Sequence, residues 1–486
     1  MSRFDPDVHG AGFPWNHRQW SHQQWSHQQW RHQQWSRRQW LARTGGGMGS
    51  LALAGMLTER STAATPAGTG LHFAPRAKRI IHLFMNGGPF QADFFDPKPL
   101  LNKHAGQRPR EVDFRTENAT GGLMAVPSGF RACGSSGLPI SELLPELGSC
   151  ADELCVLRSL HCDNPNHGPA LMQMNNGTIT PTRPSYGSWL LYGLGAENAD
   201  LPGYVVLCPG RPVRFAELWS SAFLPGSHQG TYINHSQLDP ARMVPNIRNA
   251  SLSLADQREQ LDLLRTLNEA HRAARQGEAA LETRIQAMET AFRMQTAAGD
   301  AFDLQRETAA TRAAYGSTPY ANACLLARRL AERGVRCVQV YYGNGQPWDT
   351  HRNHNASTAN LAKDIDRPTA ALLRDLKQRG LLEETLVIWG GEFGRTSTSE
   401  SGDGRDHNHW GFTMWLAGGG VKGGMAYGAT DDFGFRAIAD KMHVHDLHAT
   451  ILRLMGIDHQ RLTYRHAGRD YRLTDVSGRV VQEIFA

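Results

Sequence analysis

Four short stretches hold the residues best suited to chemistry. "GGEFGRTSTSESGDGRDHNHWG", from Gly390 to Gly411, carries Glu392, His407 and His409. "GNGQPWDTHRNHN" carries Asp349, His351 and His354, and "NGGPFQADFFDPKP" carries Asn86, Asp93 and Asp96. Carboxylate oxygen mixed with imidazole nitrogen suits zinc, manganese or iron, while calcium and magnesium are favoured where oxygens dominate. The expected cofactor is a divalent metal: zinc, calcium, manganese or magnesium. The fourth stretch, "HCDNPNHGPALMQMNNG", carries His161, Asn166 and His167 around a helix start at Asn166, where free backbone N–H groups favour an anion such as a phosphate or sulfate ester.

These stretches gain meaning from what precedes them. Each follows directly on an apolar run: "TLVIW" (385–389), "VRCVQVYY" (335–342), "IIHLFM" (80–85) and "ELCVLRSL" (153–160). "GYVVLC" (203–208) and "TMWLAG" (413–418) have the same character. Runs apolar on both faces predict strands of a covered, mostly parallel sheet. In such sheets ligands sit beyond the carboxyl ends of the strands. The polar stretches therefore converge on one sheet edge.

Helical segments lie between the runs. "YANACLLARRLAERG" and "STANLAKDIDRPTAALLRDLKQRG" each stop at a glycine, and Pro368 predicts a kink or split in the second. "HVHDLHATILRLMGI" reads as a helix capped by Asp446 and ending at Gly456. Residues 251–315 lack strand signals, and Leu281, Ile285, Met288 and Phe292 recur at helical spacing, which predicts a helical insertion acting as scaffold or as a cap over the site. Ser185 and Ser188 read as turn and helix-cap residues.

Composition bounds the function. With 486 residues, a formal net charge of +5 and 20% charged residues, the chain has a full core and no nucleic-acid signature. The seven cysteines are odd in number and form no C-x-x-C pair, so they are expected to be small buried residues rather than a disulfide framework. Residues 1–70 form a leader. "HRQWSHQQWSHQQWRHQQWSRRQW" is a low-complexity repeat, and "SRRQWLARTGGGMGSLALAGML" has the order of an export signal, with Arg37 and Arg38 resembling a twin-arginine motif. The repeat ahead of it fits a start codon placed too early. Export to the periplasm or beyond is the expectation, with no stable membrane span.

The four stretches, with "IWGGEFGRT" and "GRDHNHWGFTMWLAGGGVKGG", resemble the bacterial family known as the domain of unknown function numbered 1501, within the alkaline phosphatase and sulfatase superfamily. The resemblance spans roughly residues 72 to 480. It implies one α/β domain over 71–486: an alkaline-phosphatase-like three-layer sandwich, a mostly parallel sheet with helices on both faces, plus the helical insertion. It implies one metal on Asp349, His351 and His409 or His407. A second would take Asn86 or Asp93, with Glu392 in place of an aspartate and Phe393 where a histidine is usual. The nucleophile position, at Asn166, has no hydroxyl, and Cys162 in "CDNPN" lacks the sulfatase signature, so His167 is the expected acid or base. The implied function is an exported hydrolase acting on a small-molecule or glycan sulfate or phosphate ester. The alternative is a non-catalytic relative that binds an extracellular glycan or protein.

Overall fold

The computed structural model describes residues 70–110, 115–181, 183–244, 251–274, 279–400 and 402–486. The repeat and the export signal lie outside the described residues. Nine strands build the main sheet: β1 (Arg79–Phe84), β2 (Leu154–His161), β3 (Tyr204–Leu207), β4 (Thr231–Ile233), β5 (Cys337–Tyr341), β6 (Thr385–Gly390), β7 (Phe412–Ala417), β8 (Met425–Tyr427) and β9 (Met442–His443). Their order is β8-β2-β7-β6-β1-β5-β3-β4, with β9 also on β2. All six apolar runs are strands of this sheet.

β1 lies parallel to both β5 and β6, and β3 pairs parallel with β4 and β5. β7 runs antiparallel to its neighbours β2 and β6. The reason is local. A parallel neighbour needs a crossover, usually helical, whereas residues 391–411 fold as a hairpin of Gly394–Glu400 and Gly404–Asn408. The chain therefore re-enters the sheet from the edge at which it left, and the whole excursion stays beside the carboxyl ends of β1 and β5.

Helices α1 (His167–Asn176), α2 (Tyr186–Leu194), α3 (Leu254–Ala274), α4 (Ala279–Ala301), α5 (Pro319–Glu332), α6 (His354–Gln378) and α7 (Val444–Leu454) cover the sheet or extend from it. Strand alternation sorts the core into two layers. Ile81 and Leu83 pack with Leu326 and Leu330 of α5 and Leu372 of α6, while Ile80 and Phe84 pack with Leu171 of α1, Trp189 of α2 and Leu447 of α7. This is the expected three-layer α/β sandwich.

Three local expectations change. α6 continues through Pro368 without dividing, held by Ile365 and Leu372 in the core on either side of the missing N–H. α7 is capped by His443, whose ring accepts from His445 N, while Asp446 accepts from His443 N at 3.0 Å, so Asp446 is the third-residue partner in a capping box. The insertion is helical, but its anchor is on the α5 face, through Met294, Ala301 and Phe302, and Met288 is exposed. Ser185 caps α2 as expected, accepting from Ser188 N.

All seven cysteines are free and buried. Burial pushes Cys155, Cys162 and Cys337 up to about 12 and Cys208 up to about 11. Thiolates are the reactive form. The native protein is expected to resist iodoacetamide at pH 8, and all seven thiols are expected to react in denaturant. Rapid native alkylation counted by mass spectrometry contradicts this packing. No described helix is long and apolar enough to cross a membrane.

Candidate metal centre

Asp349 leaves β5 in a loop held by two anchors. Trp348 N donates to Asn86 O at 3.2 Å, and Thr350 Oγ1 bonds His354 Nδ1 at 2.6 Å, with His354 Nε2 on Asp93 at 2.8 Å. Asp93 is thus buried one step behind the site, fixing the residue between Asp349 and His351. Asn86 donates to the carbonyls of Gly343 and Gly345, so it too clamps this loop. Asp93 is bound to His354, whereas Asn86 holds the loop through its amide N–H groups and leaves Oδ1 buried without a hydrogen-bond partner.

Three imidazoles meet at Asp349 Oδ1: His351 Nε2 at 2.9 Å, His167 Nε2 at 3.2 Å and His407 Nε2 at 3.3 Å. His351 and His407 approach each other through Nε2 at 3.1 Å. Each ring is held from behind by a carboxylate. His167 Nδ1 faces Glu392 at 2.6 Å, His407 Nδ1 faces Glu117 at 2.9 Å, and His351 Nδ1 faces Glu400. Acceptors at Nδ1 assign the proton there and direct the Nε2 lone pairs inward. Lone pairs facing a carboxylate oxygen and one another repel unless a cation or protons lie between them. His167 Nε2 is buried without a hydrogen-bond partner, despite its approach to Asp349.

A tetrahedral ion with bonds of 2.0–2.1 Å sets its donors about 3.3 Å apart. Four of the six separations among these donors span 2.9–3.3 Å, and two triads, His167 with Asp349 and His407, and His351 with Asp406 and His407, bring their donor atoms within 4.8 Å of one another. Carboxylate–histidine pairs behind each ring are the usual outer shell of a metal site. Four carboxylates surround the three rings: Glu392, Glu400 and Glu117 behind them and Asp349 between them, the last also paired with Arg395 at 2.6 Å. The two triads fit a divalent cation in donor type and charge.

The hairpin determines which histidine enters. Its pairing slips between Arg405 and His407, a bulge that turns Asp406 toward Asn118, whose N donates to Asp406 at 2.6 Å, and His407 toward Asp349. His409 lies past the hairpin, against Trp410 at 4.2 Å between ring centres, with its carbonyl accepting from Cys162 N. It joins no group of converging donors, so His407, not His409, is the one brought to the site. Gly404 is required by contact: a Cβ there would lie 1.8 Å from His351 O. Arg405 N also donates to Thr350 O at 3.1 Å, which seals hairpin to loop.

Glu392 has no exposed surface and is spoken for: Gly87 N donates to it at 3.0 Å and His167 holds its Oε1. The structure places it behind His167 rather than among the inward donors. Arg395, also fully buried, donates to Asp349 Oδ1 at 2.6 Å and to the carbonyls of Gly87 and Gly88. Glu117, Glu400 and Arg395 carried no ligand signal in the sequence, since their role depends on loop closure.

Electrostatics follow from these contacts. Burial opposes ionisation of Asp349, but the close approach of His167, His351 and His407 and the Arg395 guanidinium hold its carboxyl far below the ordinary range. The Asp349 bond raises His351 to about 9, against burial and with help from Glu400. Burial lowers His167, but Asp349 and Glu392 outweigh it, leaving that imidazole above its ordinary value. His409 is driven the other way, down to about 4, by burial and by Arg436. His351 is 34% exposed against 11% for His167 and 9% for His407, so the site opens on the His351 side.

Asn166, at the expected nucleophile position, is the exposed N-cap of α1 and brings no hydroxyl. The Cys162 thiol is buried and donates toward the carbonyls of Asn164 and Glu392.

The family model described as "Protein of unknown function (DUF1501)" matches residues 77–485. The chain belongs to that family. No curated protein matches this DUF1501 chain. Solved structures similar to it include the PsFucS1 sulfatase from Pseudoalteromonas sp., at 12% identity over 79% of this chain and 68% of that one, with a TM-score of 0.34. The lipoteichoic acid synthase LtaP from Listeria monocytogenes is 9% identical over 84% and 78%, with a TM-score of 0.36. The zinc complex of the C-terminal periplasmic domain of EcEptC from Escherichia coli is 9% identical over 85% and 97%, with a TM-score of 0.35.

Proposed function

We propose that this DUF1501 protein is an exported metal-dependent hydrolase of sulfate or phosphate esters. The observation that carries the reading is the convergence of three Nε2 atoms on Asp349 Oδ1, each ring backed by its own glutamate. Asp349, His351, His407 and His167 would hold the ion, and three imidazoles favour zinc over calcium, magnesium or manganese. When bound, the ion supplies Lewis acidity and acidifies water. His167 then serves as ligand rather than as acid or base. Glu392, Glu400 and Glu117 keep the Nδ1 protons and orient the rings. Arg395 holds the Asp349 carboxylate and the Gly87–Gly88 turn in one position. With no hydroxyl at Asn166 and a buried Cys162, water is the attacking group in this reading.

The test is metal analysis of the full chain after zinc or manganese loading and dialysis, followed by an aryl sulfate and aryl phosphate screen. About one ion per chain and chelator-sensitive turnover are expected. Neutral imidazole is the ligating form. His351, raised to about 9 without metal, must lose a proton on binding, so affinity is expected to rise as pH climbs toward 9. Bound metal without turnover on either ester class rejects the hydrolase and favours the non-catalytic glycan or protein binder.

A further inference from the structure

Between Asp349 and His351 stands a hydroxyl that faces away from the centre. Thr350 is 6% exposed, whereas the side chains of its two neighbours are 21% and 34% exposed. Where Asp349 and His351 turn to the open site, Thr350 turns into the protein and meets a buried imidazole and a buried carboxylate. Its Oγ1 lies 2.6 Å from His354 Nδ1, and His354 Nε2 lies 2.8 Å from Asp93 Oδ2. His354 and Asp93 are almost wholly buried.

A carboxylate accepts, so Asp93 assigns the ring proton to Nε2. Burial holds His354 below its ordinary value, against the pull of Asp93, so Nδ1 carries no second proton. The Thr350 hydroxyl therefore donates to Nδ1. Its proton is committed to a ring that is 1% exposed, so Thr350 does not supply the hydroxyl that Asn166 lacks.

The contacts join three parts of the chain. Asp93 belongs to the short helix Gln91–Phe94 after β1, and His354 is the first residue of α6. The hairpin reaches the same residues: Arg405 N donates to Thr350 O at 3.1 Å, His354 N to Asp403 O at 2.9 Å and Asn353 N to Asp403 Oδ1 at 3.0 Å. Phe90 meets His354 edge-on and carries the Arg405 guanidinium 4.0 Å from its ring centre. Thr350 is thus held through its hydroxyl and its carbonyl, and the hairpin that holds the carbonyl also delivers His407.

We propose that Asp93, His354 and Thr350 are a positioning unit: acting through the Thr350 hydroxyl, they fix the separation of Asp349 Oδ1 from His351 Nε2 and so the geometry in which the ion is held. This rests on the metal centre proposed above. Asp93 and His354 join neither group of converging donors, so the unit acts from behind the ligands.

The test uses the full chain in competitive zinc titrations and, loaded with cobalt, in visible absorption, which reports ligand geometry. Thr350→Val keeps the shape and removes the donor. It is expected to weaken zinc roughly tenfold to a hundredfold, as for loss of an outer-shell partner, and to alter the cobalt spectrum. Thr350→Ser restores the hydroxyl and should recover both. Asp93→Asn, a milder change, should shift affinity the same way by a smaller factor, and by no further factor in the Thr350→Val background, because the two act through one imidazole. Ser185→Ala, which removes the α2 cap in the other helical layer, controls for lost stability and should move neither readout. Wild-type affinity and spectrum in Thr350→Val overturn the proposal, as does a loss that serine does not recover or an Asp93→Asn effect that adds in full. A wild-type chain that takes up neither ion overturns the metal-centre reading instead. Hydrogen exchange of the metal-free chain then decides: faster exchange in Thr350→Val confined to residues 347–354 and 403–408 supports the unit, and any other pattern overturns it.

Discussion

Asp349→Asn is expected to abolish stable metal binding and to destabilise the metal-free protein. The asparagine keeps the shape of the side chain but removes the charge on which three Nε2 atoms and Arg395 converge. Loss of an outer-shell partner typically costs ten- to a hundredfold in metal affinity, so loss of the shared donor should exceed about a hundredfold. The second effect arises from Arg395, which has no exposed surface. Breaking a buried ion pair from one side leaves an uncompensated charge and costs roughly 3–5 kcal/mol. Asp349 is itself one-fifth exposed and Arg395 keeps its carbonyl acceptors, so about 3 kcal/mol is the reasonable expectation. Metal content after dialysis reports the first effect, and urea unfolding of the chelated protein reports the second. Full metal retention in a folded variant would exclude Asp349 as a donor. An unchanged urea midpoint would show that Arg395 does not depend on it.

Six of the nine strands were legible because each is a largely apolar run that ends in a polar stretch, whereas β4, β8 and β9 are two or three residues long and partly exposed and give no such run. Six runs predicted six strands, and the placement of functional residues after them followed from that. The direction of β7 was not legible, because a hairpin of serine, threonine and glycine carries no hydrophobic period that separates it from a loop. The same hairpin hid the choice between His407 and His409. That choice turns on a single bulge at Asp406, and the bulge depends on Asn118, nearly three hundred residues earlier. Residue type fared better than role. Asp93 and Glu392 lie beside the centre, yet each is bound by a neighbour, His354 for the first and Gly87 N with His167 for the second, while Asn86 gives its N–H groups to two carbonyls and keeps only Oδ1 unpartnered. Spacing can bring a carboxylate to a sheet edge. Whether it faces the ion or the back of an imidazole depends on tertiary partners that the local pattern does not encode.

Glu392 offers the sharpest test of that distinction. Glu392→Gln keeps one oxygen that can accept from both Gly87 N and His167 Nδ1, as Oε1 does now, and loses the second oxygen and the negative charge that fixes the imidazole proton and raises the basicity of Nε2. If Glu392 acts from behind the ring, metal affinity should fall about ten- to a hundredfold while one ion per chain still binds at saturation. Glu392→Ala should be worse in a different currency, because it leaves Gly87 N buried without an acceptor, at about 1–3 kcal/mol, and frees His167 to rotate. A direct ligand predicts another pattern, in which Glu392→Gln matches Asp349→Asn and no ion binds at saturation. Glu117→Gln is the graded control. Its carboxylate, 29% exposed, holds His407 from the solvent side, so its effect should have the same sign as that of Glu392→Gln and be smaller. Competitive zinc titrations of the three glutamine and asparagine variants therefore rank the residues by depth of involvement. The order Asp349, then Glu392, then Glu117 follows from geometry alone, because only the first presents an oxygen to all three imidazoles.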